Sequence, residues 1–442
     1  MMENRWKEMY KRKLKTPDEA VAEIRDGEGI GFSLANGRPE AFCNALAKRV
    51  LAGELKDIKV FAGLGLSPTL LNSPEVADKI EFDSPYLGPI ERFFVQQGLY
   101  TYTPVKLGDA DIIARRHLRP GSVMAMTVSP MDRNGFFSCG INVDYGYGLA
   151  RMHPGKRLLI VEVNEHMPRT FGVNLFHISE VDIIIENNVP LKTLPEVKVT
   201  EEDRRIAEYI VEHVPDGACI QLGIGGIPNA VGEFLKDKKD LGVHTEMITD
   251  SMLDLWECGA ITCRKKNFIP YKWVASFALG SQRLYDFLHE NPMVDFYTVG
   301  FVNRPSIIGR NDNMISVNAT LEVDLTGQCA SESIGPRQYT GTGGQLDFVQ
   351  GAWLSKGGQS FIALHSTYTD KSGQRKSKIV PTLSPGTFVT TPRTEVNWIV
   401  TEYGAAQLKG QNVRQRAEAL INLAHPDFRD ELRFQAKKLM LL

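Results

Sequence analysis

Residues Asp216 to Val231 read DGACIQLGIGGIPNAV and predict a tight turn, a short buried strand, a glycine-rich loop and the start of a helix. The stretch Asp26 to Phe42, DGEGIGFSLANGRPEAF, repeats that order, with proline again shortly before a helical segment. After the helix, each half continues into a second strand, which ends at Phe61-Ala62-Gly63 or at His244-Thr245-Glu246. The match requires a one-residue gap and a shift in the later strand. The residues alone therefore leave both a duplication and a chance likeness open.

Short apolar runs alternate with helical patterns along the rest of the chain. Three of them, Ile58 to Phe61, Leu158 to Val161 and Val181 to Ile185, have the length and β-branched content of buried strands. Such alternation favours α/β layers with mainly parallel sheets. The segment Glu186 to Lys198, ENNVPLKTLPEVK, carries two prolines and interrupts the pattern. We therefore predict two open α/β domains, residues 1–190 and 199–442, joined by this segment.

The composition of the chain limits the kinds of molecule that we expect it to bind. The chain has 442 residues, with 51 basic and 53 acidic side chains and a formal net charge of −2. Nucleic-acid-binding domains usually carry a clear basic excess, so we expect no nucleic-acid partner. The opening residues MMENRWKEMYKRKLK lack the apolar centre of a secretory signal, and no apolar run approaches the ~20 residues that span a membrane. We expect a cytoplasmic protein without a membrane partner.

Cysteine and histidine spacing bears on metals and disulfides. The six cysteines are scattered without a CxxC pair, and the nine histidines show no HxxxH spacing. We therefore expect free thiols and no metal site.

The glycine-rich loop Gly223 to Ile227 follows the predicted strand of the second half. Glycines just before a helix let the backbone approach a ligand, and the N–H groups at the helix start suit carbonyl or phosphate oxygens. A dinucleotide-binding loop requires GxGxxG, but Pro228 stands where the third glycine belongs. A tight turn between strand and helix explains the same residues, so both interpretations remain open.

Two further segments contain residues that are typical of catalytic or ligand-binding sites. Val243 to Asp250, VHTEMITD, leaves a strand, and functional side chains gather at the carboxyl ends of strands in α/β folds. Taken alone, an acidic residue in this segment, Glu246 included, is more typical of a solvated surface charge than of a catalytic group. The segment Gly341 to Phe348, GTGGQLDF, is a second glycine-rich loop, for which a pair of β-turns is the alternative. Upstream, Leu321 to Leu325 has the pattern of a strand.

Taken together, these motifs resemble the acetyl-CoA hydrolase/transferase family. Four segments carry the resemblance in order: GIGGIPNAV, HTEMITD, EVDLTGQCASESIGPRQYTGTGGQLDFVQGA and the tail VTEYGAAQLKG…LINLAHPDFRDEL. Within the family, the sequence is most similar to the 4-hydroxybutyrate and butyryl-CoA CoA-transferases of class I. The likeness covers nearly the whole chain. The family's architecture of two similar α/β domains agrees with the repeated pattern.

The resemblance implies a site and a reaction. It makes Glu246 the catalytic nucleophile, which would carry CoA as a glutamyl-CoA thioester. It assigns CoA binding to residues of the two glycine loops and to one neighbouring leucine: Gly223, Ile224, Gly225, Gly226, Ile227, Leu321, Gly343 and Gly344. The acid pocket is expected largely in the first domain, around Ser33 to Asn36 and Phe61 to Gly63.

The implied activity is CoA transfer from a short-chain acyl-CoA to another carboxylic acid by ping-pong kinetics. The acids would be of the butyrate, 4-hydroxybutyrate, acetate, succinate or itaconate type, with acyl-CoA as substrate and no permanently bound cofactor. Two alternatives remain: an acyl-CoA hydrolase with the same nucleophile, and a non-catalytic acyl-CoA-binding protein, against which the glutamate at 246 weighs. We also expect a homo-oligomer, a dimer or higher.

Overall fold

The computed structural model describes residues 2–118 and 121–442. Contacts divide the chain into two compact units, Met1–Leu194 with Val274–Val302, and Pro195–Trp273 with Asn303–Leu442. The first change of unit falls within the proline-bearing linker that the sequence indicates. The segment 274–302, expected in the second domain, belongs instead to the first unit, because its strand Val294–Phe296 pairs with Phe171–Gly172.

The first unit contains a sheet of seven strands, and every neighbouring pair in it is parallel. The order across the sheet is Ile183–Glu186, Leu158–Val163, Val123–Val128, Gly29–Phe32, Lys59–Phe61, Glu81–Ser84 and Thr101–Tyr102.

The second unit contains a sheet of six strands, of which five run parallel and the last pairs antiparallel at the edge. The order across it is Gly242–Val243, Cys219–Leu222, Met314–Ala319, Gln359–Ala363, Trp398–Thr401 and Gly404–Gln407.

The two sheets share a parallel core of five strands in one order. Counted along the chain within that core, the order across the sheet is second, first, third, fourth, fifth. The first unit adds two strands beyond its second core strand, and the second unit adds one beyond its fifth. The prediction of two similar open α/β domains with mainly parallel sheets is confirmed.

The opening turns of the two units are built alike. In both Asp26-Gly27 and Asp216-Gly217 the glycine has a φ of 78°, in the left-handed region that favours glycine. Each aspartate Oδ1 accepts a 2.8 Å hydrogen bond from a backbone N–H just before the second core strand, that of Lys56 or of Lys239. The repeated pattern of the sequence therefore corresponds to repeated local structure.

The helices cover the faces of these sheets. The helix Pro17–Ala22 begins at the N-cap residue Thr16, whose side chain forms a capping box with Glu19. The first unit has the helices Met2–Lys13, Pro17–Ala22, Glu40–Leu51, Pro74–Ala77, Pro89–Gln96, Ala110–His117, Asp144–Met152, Gln282–Leu288 and Val299–Val302. The second unit has Glu201–Val211, Gly226–Phe234, Asp250–Glu257, Pro305–Ile308, Gln345–Leu354, Val413–Leu423 and Pro426–Lys438.

Short strands outside the two main sheets complete the fold. Those of the first unit include Phe136–Ser138, Phe171–Gly172, Leu175–His177, Phe277–Ala278 and Val294–Phe296, and Trp273–Ala275 spans a change of unit. Those of the second unit are Met247–Ile248, Glu322–Asp324, Cys329–Ala330, Ser333–Ile334, Arg337–Gln338, Thr367–Thr369, Arg375–Ser377 and Ile379–Val380.

Each unit has its own apolar core between sheet and helices. All four residues of the first core strand are buried in both units, Gly29–Phe32 and Cys219–Leu222. Helices on both faces of a parallel sheet leave no solvent-facing side, which explains why these strands read as short apolar runs without alternation. Across residues 2–118 and 121–442, no helix has the length and apolar character to cross a membrane.

Candidate active site

Glu246 lies just beyond the carboxyl end of a strand in the second unit. The strand Gly242–Val243 ends three residues before it, and the next short strand, Met247–Ile248, begins directly after it. Thr245 and Met247 are buried, whereas Glu246 keeps partial exposure to solvent. The predicted position of the glutamate at a strand end is therefore what the structure shows, and the residue is not a fully solvated surface charge.

Asn303 is the polar partner of this carboxylate. Its Nδ2 donates a hydrogen bond of 2.8 Å to Glu246 Oε2, and its side chain is fully buried. The sequence interpretation missed Asn303, which lies 57 residues from Glu246 along the chain. An asparagine followed by Arg304-Pro305 is typical of a turn before a helix, so no local signal separates it from a structural residue.

Gly344 approaches Glu246 so closely that no side chain fits there. A Cβ at this position would overlap Glu246 Oε2 and Asn303 Nδ2 and would lie 3.0 Å from Glu246 Cδ. The neighbouring Gly343 has a φ of +58°, and the helix Gln345–Leu354 begins directly after the pair. The structure thus brings the GTGG loop and Glu246 together, and the close approach requires glycine at 344.

The surroundings of Glu246 change its acidity. Burial, the largest cause, raises the pKa of its carboxyl group from 4.5 to about 7. The hydrogen bond from Asn303 opposes this rise, and the nearby carboxylate of Asp347 adds to it. Asp347 belongs to the quoted GTGGQLDF segment, but the sequence interpretation gave it no role. Near neutral pH the carboxyl group is therefore present in both its protonated and its ionised form.

The other glycine loop joins the strand Cys219–Leu222 to the helix Gly226–Phe234. Gly225 has a φ of 119°, and a Cβ there would have no neighbour within 4 Å, so the loop is open at this point. Ile224 is 53% exposed, and Ile227 is buried in the first turn of the helix. An open glycine and an exposed isoleucine side by side leave the loop free to contact a ligand.

Gly226 has a structural reason to be glycine. A Cβ at this position would lie 2.8 Å from Cγ and 3.1 Å from Oδ1 of Asp203, whose carboxylate packs against the helix start. The sequence left two interpretations of this loop open, a ligand contact and a tight turn. The packing of Gly226 agrees with the second, and the open surface at Gly225 agrees with the first.

Leu321 is the remaining residue of the second unit that the resemblance assigns to CoA binding. Leu321 is half-buried between the strands Met314–Ala319 and Glu322–Asp324, and its N–H donates to Ala330 O at 3.1 Å. Its assignment to CoA rests on the resemblance alone and stays a prediction.

In the first unit, polar groups of the expected acid pocket already form hydrogen bonds within the protein. The amide of Asn36 binds the backbone of Lys192 through both its atoms, at 2.8 and 3.0 Å. Gly63 donates its N–H to the hydroxyl of Tyr145 at 3.1 Å. Both contacts are structural ones, so the acid pocket in this region stays a prediction.

In the part of the chain that the structure describes, no group of three or more His, Cys, Asp or Glu side chains is arranged to hold a metal ion.

Comparison with known proteins assigns the family. Residues 1–195 match the family model of the acetyl-CoA hydrolase/transferase N-terminal domain, and residues 280–436 match that of the C-terminal domain. The chain belongs to the acetyl-CoA hydrolase/transferase family, as its motifs predict.

Full-length relatives and a solved structure agree with this assignment. The chain is 43% identical to a butyryl-CoA:acetate CoA-transferase of Anaerostipes caccae, over 98% of each chain. It is 41% identical to a 4-hydroxybutyrate coenzyme A transferase of Clostridium kluyveri, over 98% of this chain and 99% of the relative. The crystal structure of RipA from Yersinia pestis superposes with a TM-score of 0.91 at 39% identity, covering 99% of this chain and all of that one. The prediction of a CoA-transferase is confirmed.

Proposed function

We propose that this protein moves CoA from a short-chain acyl-CoA to a second carboxylic acid through a glutamyl-CoA thioester on Glu246. The observation that carries the proposal is the contact of Glu246 Oε2 with Asn303 Nδ2 beside Gly344. This arrangement offers a nucleophilic carboxylate, a hydrogen-bond donor to one of its oxygens, and glycine backbone close by. Those three features are what acyl transfer through a carboxylate requires.

The first half-reaction exchanges one acyl bond for another. An oxygen of the ionised Glu246 attacks the thioester carbonyl carbon, the C–S bond breaks, and CoA leaves as a thiolate. The product is a mixed anhydride between Glu246 and the first acid. The thiolate then attacks Cδ of Glu246, the anhydride C–O bond breaks, and the first acid departs as its carboxylate. The enzyme is left as the glutamyl-CoA thioester.

The second half-reaction runs through the same steps in reverse. The incoming carboxylate attacks Cδ, the thiolate leaves and then attacks the carbonyl carbon of the new anhydride, and Glu246 is released as a carboxylate. Substrate and product acids therefore occupy the site in turn, which is ping-pong kinetics. Every step is a displacement at a carbonyl carbon, so atoms and charge balance without a redox partner.

Asn303 acts on the oxygen where charge develops. When a nucleophile attacks Cδ, the oxygen that remains on Cδ becomes negative in the tetrahedral intermediate. The amide of Asn303 already donates to Oε2 before the reaction, so little reorganisation is needed to stabilise that charge. The backbone N–H groups of Gly343 and Gly344 are candidate donors to the same or the opposite oxyanion.

A trapping experiment tests the proposal. Incubation with acyl-CoA and no acceptor acid should leave a CoA-sized adduct on the peptide that holds Glu246, detected by mass spectrometry. Glu246→Gln should abolish the adduct and the transfer. Glu418→Gln, which changes an exposed glutamate on the helix Val413–Leu423, is the matched control and should retain both. An adduct that persists in Glu246→Gln would place the nucleophile elsewhere.

Kinetics separate the proposed transferase from a hydrolase. Double-reciprocal plots at several acceptor concentrations should be parallel, and CoA release should depend on the added acid. Release of CoA at an equal rate without any acid would favour hydrolysis, in which water resolves the thioester. The relatives carry names with acetate, butyryl-CoA and 4-hydroxybutyrate, so a screen of these acids together with succinate and itaconate addresses the acceptor.

The cellular setting belongs to the same proposal. We place the enzyme in the cytoplasm as a homo-oligomer, without a resident cofactor. Light scattering of the purified protein checks the oligomeric state, its absorption spectrum checks for a resident cofactor that absorbs light, and fractionation of cells that express it checks the location.

A further inference from the structure

Glu332 is a buried acidic residue of the second unit, placed between the strands Cys329–Ala330 and Ser333–Ile334. The residue is 6% exposed. Moving a carboxylate out of water costs free energy unless hydrogen-bond donors of the protein replace the water. The donors that surround Glu332 therefore show which parts of the chain it holds together.

Three side chains from different positions donate to this carboxylate. Thr390 Oγ1 lies 3.0 Å from Oε1, and Gln338 Nε2 and Thr342 Oγ1 each lie 3.2 Å from Oε2. Hydrogen bonds to a carboxylate are stronger than those between neutral groups. Glu332 thus joins the chain around residue 340 to a segment 58 positions away from itself.

The backbone of Glu332 holds the same stretch of chain. Residues 339–344 form neither a helix nor a strand, and the helix Gln345–Leu354 follows them directly. The backbone oxygen of Glu332 accepts from the N–H groups of Tyr339 and Thr340, at 2.8 and 3.1 Å. Because both the backbone and the side chain of one residue bind this loop, the position of the loop follows that of Glu332.

Thr342 connects Glu332 to the surroundings of Glu246. It precedes Gly344 by two positions, a separation that spans at most ~7 Å of chain. Gly344 is the residue whose backbone approaches Glu246 so closely that a Cβ there would overlap Oε2. A displacement of Thr342 should therefore also change the contact between Gly344 and Glu246.

We propose that Glu332 is a positioning residue for CoA transfer, which holds the GTGG loop against Glu246 through Thr342. It acts through that loop and does not touch the substrate. The inference rests on the proposed function, since it concerns how the same glutamate is kept in place. The close approach of the loop also contributes to the burial that raises the pKa of Glu246. A loosened loop should admit water and lower that pKa.

Removal of one hydroxyl group tests the inference. Thr342→Val keeps the shape of the side chain and removes its hydrogen bond to Glu332, so the loop should loosen. The variant should lower kcat on the order of tenfold, because a small displacement is costly when catalysis rests on position. The pH midpoint of kcat/KM should move to lower pH. Steady-state rates measured across the pH range give both quantities.

Thr326→Val is the matched control. It removes a comparable hydrogen bond in the same unit, from Thr326 Oγ1 to Oδ1 of the buried Asp324 at 2.7 Å. This variant should lower the free energy of unfolding, measured by urea denaturation, and leave kcat and the pH midpoint unchanged. If Thr342→Val behaves in the same way, Glu332 has only a structural role and the inference is overturned.

A double-mutant cycle tests whether Glu332 acts through Thr342. In Glu332→Ala the hydrogen bond is already absent, so the addition of Thr342→Val should cost little further rate. Losses in kcat that simply multiply would contradict the proposed connection. A wild-type protein that forms no CoA adduct would overturn the proposed function itself. A wild type that forms the adduct, together with a Thr342→Val variant of unchanged rate, would overturn the inference alone.

Discussion

Asn303 Nδ2 donates a 2.8 Å hydrogen bond to Glu246 Oε2, while the other amide atom, Oδ1, is buried and bonds to none of the described residues. A buried amide with one unsatisfied atom costs stability. Its retention beside Glu246 is consistent with a role in the reaction rather than in packing. The pair also joins two distant segments of the chain into one site.

Replacement of Asn303 should slow the chemical step. Asn303→Ala removes the donor to the developing oxyanion and should lower kcat by about 10²–10³. The same hydrogen bond lowers the pKa of Glu246, so the pH midpoint of kcat/KM should move upward in the variant. Asn311→Ala, at another fully buried asparagine of the second unit, is the control and should cost stability without this kinetic effect. Equal kinetic losses in the two variants would contradict the assigned role.

A methyl group at position 344 should displace the nucleophile. In Gly344→Ala the new Cβ competes for space with Glu246 Oε2 and Asn303 Nδ2, so the carboxylate must move. A shift of about 1 Å can cost on the order of a hundredfold in rate when catalysis rests on position. Gly373→Ala changes a glycine with no neighbour within 4 Å, and its activity should be unchanged. Steady-state rates of both variants, with thermal unfolding as a check on folding, decide the point.

The rate should depend on pH through Glu246. With a pKa of about 7, only the ionised fraction of the free enzyme can attack, so kcat/KM should fall about tenfold per pH unit below that value. Asp347 raises this pKa, and Asp347→Asn should therefore move the midpoint to lower pH. A profile that stays flat from pH 5 to 8 would contradict the assignment of Glu246.

The free energy of unfolding should also depend on pH through Glu246, and it should fall as the pH rises. The folded pKa of Glu246 is raised, so the folded state binds more protons than the unfolded state between pH 4.5 and about 7. The associated stability is present in full below pH 4.5 and is lost as the pH rises through about 7. The loss amounts to about 3 kcal/mol. Relative to Glu246→Gln, the free energy of unfolding of the wild type should fall across this range, measured by urea denaturation.

A buried ion pair holds the loop after the second strand of the first unit. Arg38 Nη2 and Glu91 Oε1 are 2.9 Å apart and almost inaccessible to solvent, and Glu91 also accepts from the N–H of Gly65. Glu91→Gln leaves the guanidinium buried without its counter-charge and should cost about 3–5 kcal/mol. The more exposed pair Lys59–Glu81 is the control, and Glu81→Gln should cost less than about 1 kcal/mol. Equal losses would contradict the role of burial.

The parts of the fold that local patterns determine were predictable. The strands expected near Ile58, Leu158 and Val181 are present, with ends shifted by one or two residues. Buried parallel strands are short apolar runs in any such fold, and Asp-Gly turns require a left-handed glycine wherever they occur. Both features depend on neighbours in the sequence, so they can be read from it.

The parts that depend on distant contacts were not predictable. The segment 274–302 belongs to the first unit because its strand pairs with a strand of that unit, and no local sequence pattern predicts this pairing. Gly226 looks like a ligand-binding glycine, but its lack of a side chain also accommodates Asp203, 23 positions earlier in the chain. A steric requirement of this kind has no signal of its own in a single sequence.

The sequence by itself determined the layered α/β fold, the repeated turn-strand-loop-helix pattern, and a glutamate at a strand end between two glycine loops. Those features follow from propensity and periodicity, which act over a few residues. Only the tertiary structure decided that Asn303 and Gly344 meet Glu246 and that burial raises its pKa to about 7. Desolvation and contact are properties of atoms brought together in space, and residues 57 and 98 positions apart become neighbours only when the second unit folds.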